Sequence, residues 1–300
     1  MHSSFSEVRE NKIKSVLLMI VFIVMIGVLG AVIGIVWGST WFGLIIALIF
    51  GIVYSLIGYY SGDSMILSMS GAKPVTKKEY PYLYHTLEGL AIAGGIPTPK
   101  AYVIDDSAMN AFATGRDPKS ASITVTTGLL KNMNRQELEG VVAHEMSHIK
   151  NYDIRFMMLT VILIGVITLL SDFLLRSFLW GGKGGDRREG GGSLTLILII
   201  VGFVLAILAP LIGELVRLAI SRKREFMADA DAVTLTRYPP GLASALKKIS
   251  KDPDPLVDNA NKATACLFIS TPFRKERSFV VNLFSTHPPI QERIKRLDEM

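Results

Sequence analysis

One cysteine, Cys266, is too few for an internal disulfide. That excludes a disulfide-stapled scaffold and points to a reducing compartment. A lone cysteine among apolar neighbours is ordinarily an inert packing residue, not a nucleophile. Charge is missing altogether from Ser15 to Gly62, which excludes an ordinary soluble domain at the amino terminus. Histidine is scarce, at five residues, so two of them close together need a reason. No internal repeat is visible, which sets aside solenoids and propellers.

Half of the residues are hydrophobic, and they concentrate in four blocks. The first charge-free run is too long for one membrane span and suits two, since a span needs roughly 20 residues. The break falls at Trp37-Gly38-Ser39-Thr40-Trp41. Glycine and serine favour a turn there, and tryptophans suit a membrane–water interface. Tyr59 and Tyr60 mark the opposite interface. The expectation is a short arm over 1–14 and a helical hairpin over 15–60. A cleavable signal peptide fits less well, because a second span follows at once.

Residues 61–153 read as soluble. Tyr80, Leu83, Tyr84, Leu87, Leu90 and Ala91 share one helical face, which Gly94-Gly95 and Pro97 bring to an end. Ala101–Ile104 and Ile123–Thr127 carry the β-branched pattern of short strands, and Ala108–Gly115 between them is small and extended. Asn134 with Glu137 approximates a capping box that opens the next helix.

Two more apolar blocks, about 156–180 and 194–213, make a second hairpin within 154–213. Asp172 and Arg176 interrupt the first of these, and a glycine-rich linker over 181–192 joins them. A hydrophobic arm lying in the interface is the plainer alternative. Residues 214–300 are soluble again. Leu242, Ala245, Leu246 and Ile249 mark one amphipathic helix. Ile290, Ile294 and Leu297 mark another, opened by Pro288-Pro289.

Residues 144–148 read His144-Glu145-Met146-Ser147-His148. On a helix, positions i and i+4 lie one turn apart on one face. Both imidazoles can then reach one zinc ion at about 2.0–2.1 Å. Glu145 follows the first histidine and is placed to take a proton from water at the metal. A surface helix with two solvated histidines is the bland reading. A catalytic site needs a third protein ligand. Asn151 and Ile154 stand where a metzincin carries glycine and histidine, which excludes that class. His85, His287 and carboxylates remain as candidates. Glu225 and Asp229 are again i and i+4, so one face presents two acids: one for zinc, the other to hold a ligand histidine. By spacing alone, Glu225 could equally be a surface acid beside Arg222.

The runs Ala143–Asp153 and Ser221–Ala230 resemble the signature of HtpX-type membrane metalloproteases, whose wider relatives include the CAAX-processing proteases. Asn110-Ala111-Phe112-Ala113-Thr114-Gly115, Ser285-Thr286-His287-Pro288-Pro289 and the amino-terminal hairpin extend the resemblance over nearly the whole chain. It implies one zinc per chain held by His144, His148 and Glu225, with Glu145 as general base and Asp229 as a supporting acid. It also implies that Asn110–Thr114 is an edge strand for the substrate backbone. The residue types fit, because small Ala111 and Ala113 let a peptide approach as an added strand. An ordinary loop is the competing reading. His287, ahead of a helix start, is a candidate donor to a tetrahedral oxyanion, or a capping residue. His85 falls off its helix's apolar stripe and reads as solvated.

The expected fold is α+β and mostly helical: a zincin-like domain with a small sheet, anchored by four spans. Its catalytic part joins 61–153 to 214–300. Because 144 and 225 must meet, the segment between them crosses the membrane twice or not at all. Lys and Arg beside the spans place both soluble parts in the cytoplasm, at the cell or inner membrane. Lys183, Arg187 and Arg188 argue weakly the other way. The net charge of +6 sits beside apolar blocks, at Arg9, Lys12, Lys14, Arg217, Arg222, Lys223 and Arg224. Anionic lipid suits that placement, and nucleic acid does not. The expected substrates are misfolded or damaged membrane proteins and unfolded polypeptides, as in stress-related quality control. Prenyl-protein processing, a non-catalytic zinc scaffold and a transporter are the rival readings.

Overall fold

A computed structural model describes residues 4–36, 38–163, 165–166, 222–252, 267–269 and 288–300. The third apolar block beyond 166, the fourth block, the glycine-rich linker, Cys266 and His287 all fall outside these residues.

Two long helices, α1 (Ser4–Val36) and α2 (Thr40–Met69), form an antiparallel hairpin. The chain reverses at Gly38, whose φ of 80° suits a residue without a side chain. Ser39 then caps α2 by accepting from the Phe42 N–H. The helices touch where glycines face each other. A Cβ on Gly43 would collide with the Gly30 carbonyl and lie 2.7 Å from the Gly34 Cα. Both helices are long and apolar enough to cross a membrane. Trp41, Phe42, Ile45, Ile49, Val53 and Leu56 of α2 are exposed, a continuous apolar face of the kind that lipid covers.

Past Tyr60, α2 continues to Met69 and so projects beyond the charge-free run. A four-stranded mixed sheet follows, ordered β1-β2-β4-β3. β1 is Lys73–Pro74, β2 Lys100–Ile104, β3 Ala111–Thr114 and β4 Ser122–Thr126. β2 runs parallel to β4, and β3 antiparallel to β4 with Ala111 opposite Val125. β3 thus lies at one end of the sheet, the edge position that the resemblance implied for Asn110–Thr114.

Helix α3 (Pro81–Gly94) buries Leu83, Leu87, Leu90 and Ala91 and ends at Gly95 in the left-handed conformation. The short α4 (Thr127–Asn132) leads into α5 (Arg135–Lys150), which carries the histidine pair. The capping box is formed: Asn134 Oδ1 accepts from the Glu137 N–H, and Glu137 Oε2 accepts from the Asn134 N–H. Every residue from Val141 to Ile149 is buried, so α5 is the central helix. A turn with Tyr152 at φ 62° redirects the chain into α6, residues 153–163. α6 packs on α2, with Met158 and Ile162 against Gly62 and Gly58.

After the segment outside the description come α7 (Arg222–Thr236), α8 (Pro239–Ser250) and α9 (Ile290–Asp298). α5 lies against both α7 and α8. Gly140 and Gly241 permit the closest approach, since a Cβ on Gly140 would sit 2.7 Å from the Leu242 nitrogen. Glu137 is buried between these helices. Its carboxylate accepts from Lys248 Nζ at 2.7 Å and Ser244 Oγ at 2.7 Å.

Candidate active site

α5 and α7 meet along the faces that carry His144, His148, Glu225 and Asp229, all buried. His144 Nε2 lies 3.6 Å from Glu225 Oε2, and His148 Nε2 lies 3.5 Å from Glu225 Oε1. The surface pairing of Glu225 with Arg222 is therefore not what the fold selects. One ligand atom from each of His144, His148 and Glu225 can be chosen so that all three lie within 4.8 Å of one another. A tetrahedral ion with bonds of about 2.0–2.1 Å sets its ligand atoms about 3.4 Å apart. The donor set and its spacing fit a zinc ion, and among the described residues no other histidine–carboxylate group does so.

The second nitrogen of each imidazole is already engaged. His144 Nδ1 is 2.9 Å from Asp229 Oδ1, and His148 Nδ1 is 3.0 Å from Asp153 Oδ2. Carboxylates at Nδ1 fix the ring orientation that turns Nε2 towards a metal. Burial and the Arg293 charge work against protonating His144, but Asp229 and Glu225 outweigh them and push its pKa up to about 9. Burial likewise opposes protonation of His148, yet Asp153 and Glu225 raise its pKa. A cation at this centre competes with those protons, because the ligands bind deprotonated.

Arg293 of α9 is one residue that sequence reasoning missed. It is 1 % exposed, and its Nε and Nη2 donate to both Asp229 oxygens at 2.9 and 2.7 Å. Its Nη1 lies 3.5 Å from Glu225 Oε2. Burial raises the Asp229 carboxyl, but the guanidinium and His144 more than offset this and lower it to about 2. Arg293 shares the apolar stripe of α9 with Ile290, Ile294 and Leu297. A charge on that stripe was the available signal. Asp153 was missed as well, and so was Asp231, whose Oδ2 accepts from Ser147 Oγ and Asn151 Nδ2.

Glu145 is 2 % exposed and sits next to His144 on α5. Asn110 is buried, and its Oδ1 accepts from the Ala111 N–H at 3.1 Å. The Ala111 carbonyl in turn accepts from the Ile269 N–H at 2.9 Å. Both peptide groups of Ala111 on the outer edge of β3 are thus engaged within the chain. Antiparallel alternation sends the Phe112 groups inward to β4 and the Ala113 groups to the same outer edge. His85, away from this centre, is exposed beside Glu88.

Three comparisons bear on this arrangement. Residues 77–300 match the family described as Peptidase family M48. A "Protease HtpX homolog" of Dictyoglomus thermophilum is 53% identical over 242 residues, covering 81% of this chain and 77% of that one. Another, of Streptococcus thermophilus, is 44% identical and covers 99% of each. The crystal structure of S. mikatae Ste24p shares the fold, with a TM-score of 0.52 at 20% identity over 98% of this chain and 67% of that one. A buried His-His-Glu centre, two helices long and apolar enough to cross a membrane and these similarities agree, and the chain belongs to peptidase family M48, the metallopeptidases that include the HtpX-type proteases.

Proposed function

We propose that this metalloendopeptidase holds one zinc ion through His144, His148 and Glu225 and cleaves membrane-associated polypeptides at the cytoplasmic face. The observation that carries the reading is the convergence of both Nε2 atoms on the two oxygens of one buried carboxylate, at 3.6 and 3.5 Å. A bound zinc supplies Lewis acidity, which lowers the pKa of water towards about 7 and polarises a carbonyl. Glu145 takes the proton of the attacking water and delivers it to the leaving amine. Asp229 and Asp153 keep the two imidazoles oriented while this happens.

The outer edge of β3 is the natural place for an extended substrate. With both peptide groups of Ala111 engaged, the ladder falls to Ala113. Asn110 acts by fixing the Ala111 N–H, so its role is to shape this edge. His287 remains a candidate oxyanion donor from its place before α9.

Because His148 and Glu225 touch, the chain between them returns to the side it left, which two further spans within 154–213 would satisfy. The basic residues beside the hairpin put that side in the cytoplasm. Helix α6 leaves the site and packs on α2 of the apolar hairpin, so the cleft lies close to the bilayer. Damaged or misfolded membrane proteins are then the accessible substrates, which suits quality control. The test is cleavage of an unfolded membrane-protein substrate by the purified full chain. Activity lost with a chelator and restored by zinc supports the reading, and chelator-resistant cleavage contradicts it.

A further inference from the structure

Asn11 lies in α1 just ahead of the charge-free run, yet it is 3 % exposed. Its Nδ2 donates to the Asn151 carbonyl at 2.9 Å and to Asp153 Oδ1 at 2.7 Å. Its Oδ1 faces Arg224 Nη1 at 3.4 Å, and the same Nη1 lies 3.4 Å from Asp153 Oδ1. The other oxygen of Asp153 is the one on His148 Nδ1. Arg224 immediately precedes Glu225. One side-chain amide from the amino-terminal helix therefore ties together the turn after α5, the carboxylate behind one metal-site histidine, and the start of the helix that carries the metal-site glutamate.

An amide is what this position requires. It must donate twice, to a carbonyl and a carboxylate, and accept once from a guanidinium. Asparagine has two donors and a carbonyl acceptor in that arrangement. Aspartate could not donate and would repel Asp153. Serine has one donor only.

We infer that Asn11 is a positioning residue of the metal centre, so that the first membrane helix completes the outer layer of a site built otherwise from residues beyond 140. Asp153 can orient His148 only while its own carboxylate is held. Asn11 and Arg224 hold the oxygen that His148 does not use. The inference rests on His144, His148 and Glu225 being the zinc ligands. It gives the amino-terminal arm a task beyond anchoring: an enzyme whose first helix has shifted or been cut away keeps its His-Glu motif but grips zinc less well.

The test is zinc affinity of the full chain in detergent, by competition with a chromophoric chelator, for wild type, Asn11→Ala, Asp153→Ala and the double variant. Outer partners of ligand histidines contribute about 10–100-fold in metal affinity. We expect Asn11→Ala to weaken zinc about 10-fold alone and to add nothing in the Asp153→Ala background. The absorption bands of the Co2+-substituted protein should shift in Asn11→Ala as His148 reorients. Leu18→Ala, which removes buried packing from the same helix, should lower thermal stability and leave zinc affinity unchanged. Asn11→Ser replaces Asn11→Ala if the latter does not fold, with a smaller loss expected. Unchanged affinity in Asn11→Ala, a loss additive with Asp153→Ala, or an equal loss in Leu18→Ala would overturn the inference while leaving the zinc reading intact. A wild type that takes up no zinc would overturn both.

Discussion

Arg293 and Asp229 form a buried two-pronged ion pair, with Nε and Nη2 of the guanidinium on the two carboxylate oxygens at 2.9 and 2.7 Å. Asp229 in turn faces His144 Nδ1. The carboxy-terminal helix is thereby coupled to the centre of the molecule. Removing one partner of such a pair strands a buried charge, which costs about 3–5 kcal/mol. Arg293→Ala should therefore unfold the full chain at markedly lower denaturant or temperature. Arg293→Lys should recover only part of the loss, because an ammonium cannot fork across both oxygens. A wild-type midpoint in Arg293→Ala would show that the pair contributes nothing net.

Glu137 supplies a pH dependence. Burial alone would raise its carboxyl above the ordinary 4.5, but Lys248, the Asn134 N–H and Ser244 reverse this and lower it. A depressed pKa means that the unfolded chain binds the proton more readily. The stabilisation is then fully present above about pH 4.5 and fades as pH falls through the folded value. Glu137→Gln should cost about 1–2 kcal/mol near neutral pH. The gap between wild type and variant should close on acidification. A gap that stays constant down to pH 3 would rule out this carboxylate as the source.

Ala113 tests the substrate edge. Proline removes one outward N–H and is tolerated at sheet edges. Ala113→Pro should retain zinc and fold but lower kcat/KM about 10-fold, the effect of roughly 1.4 kcal/mol of lost transition-state binding. Undiminished kcat/KM would move the substrate away from β3.

Glu145 should separate chemistry from metal binding. Glu145→Ala removes the proton acceptor while sparing all three proposed ligands. Cleavage should fall at least about 100-fold, with zinc content unchanged. Retained turnover would refute the assigned base.

Much of the site was legible because its signals are local. His144 and His148 are one helical turn apart and the Asn134–Glu137 cap precedes them; Glu225 and Asp229 repeat the same spacing, but there the resemblance, not the spacing, singled out Glu225. β2, β4 and α3 declared themselves through β-branched runs and a helical apolar stripe, whereas the two-residue β1 gave no signal. What stayed hidden depends on distant partners. Asn11 meets Asp153 across 142 positions, and Arg293 meets His144 across 149. Hydropathy patterns put charged residues outside, so an arginine among Ile290, Ile294 and Leu297 reads as an interruption of the stripe. Only the fold shows that the stripe faces a carboxylate. The engagement of Ala111 by Ile269 was hidden for the same reason, since nothing near residue 111 in sequence announces a partner at 269.

The most direct test is the metal content of the purified full-length chain beside Glu225→Gln, each assayed for cleavage of the same substrate. Wild type should carry close to one zinc per chain, and Glu225→Gln should lose most of both metal and activity. A wild-type preparation that cleaves without stoichiometric zinc, or a Glu225→Gln variant that keeps its full complement, would contradict the proposed centre.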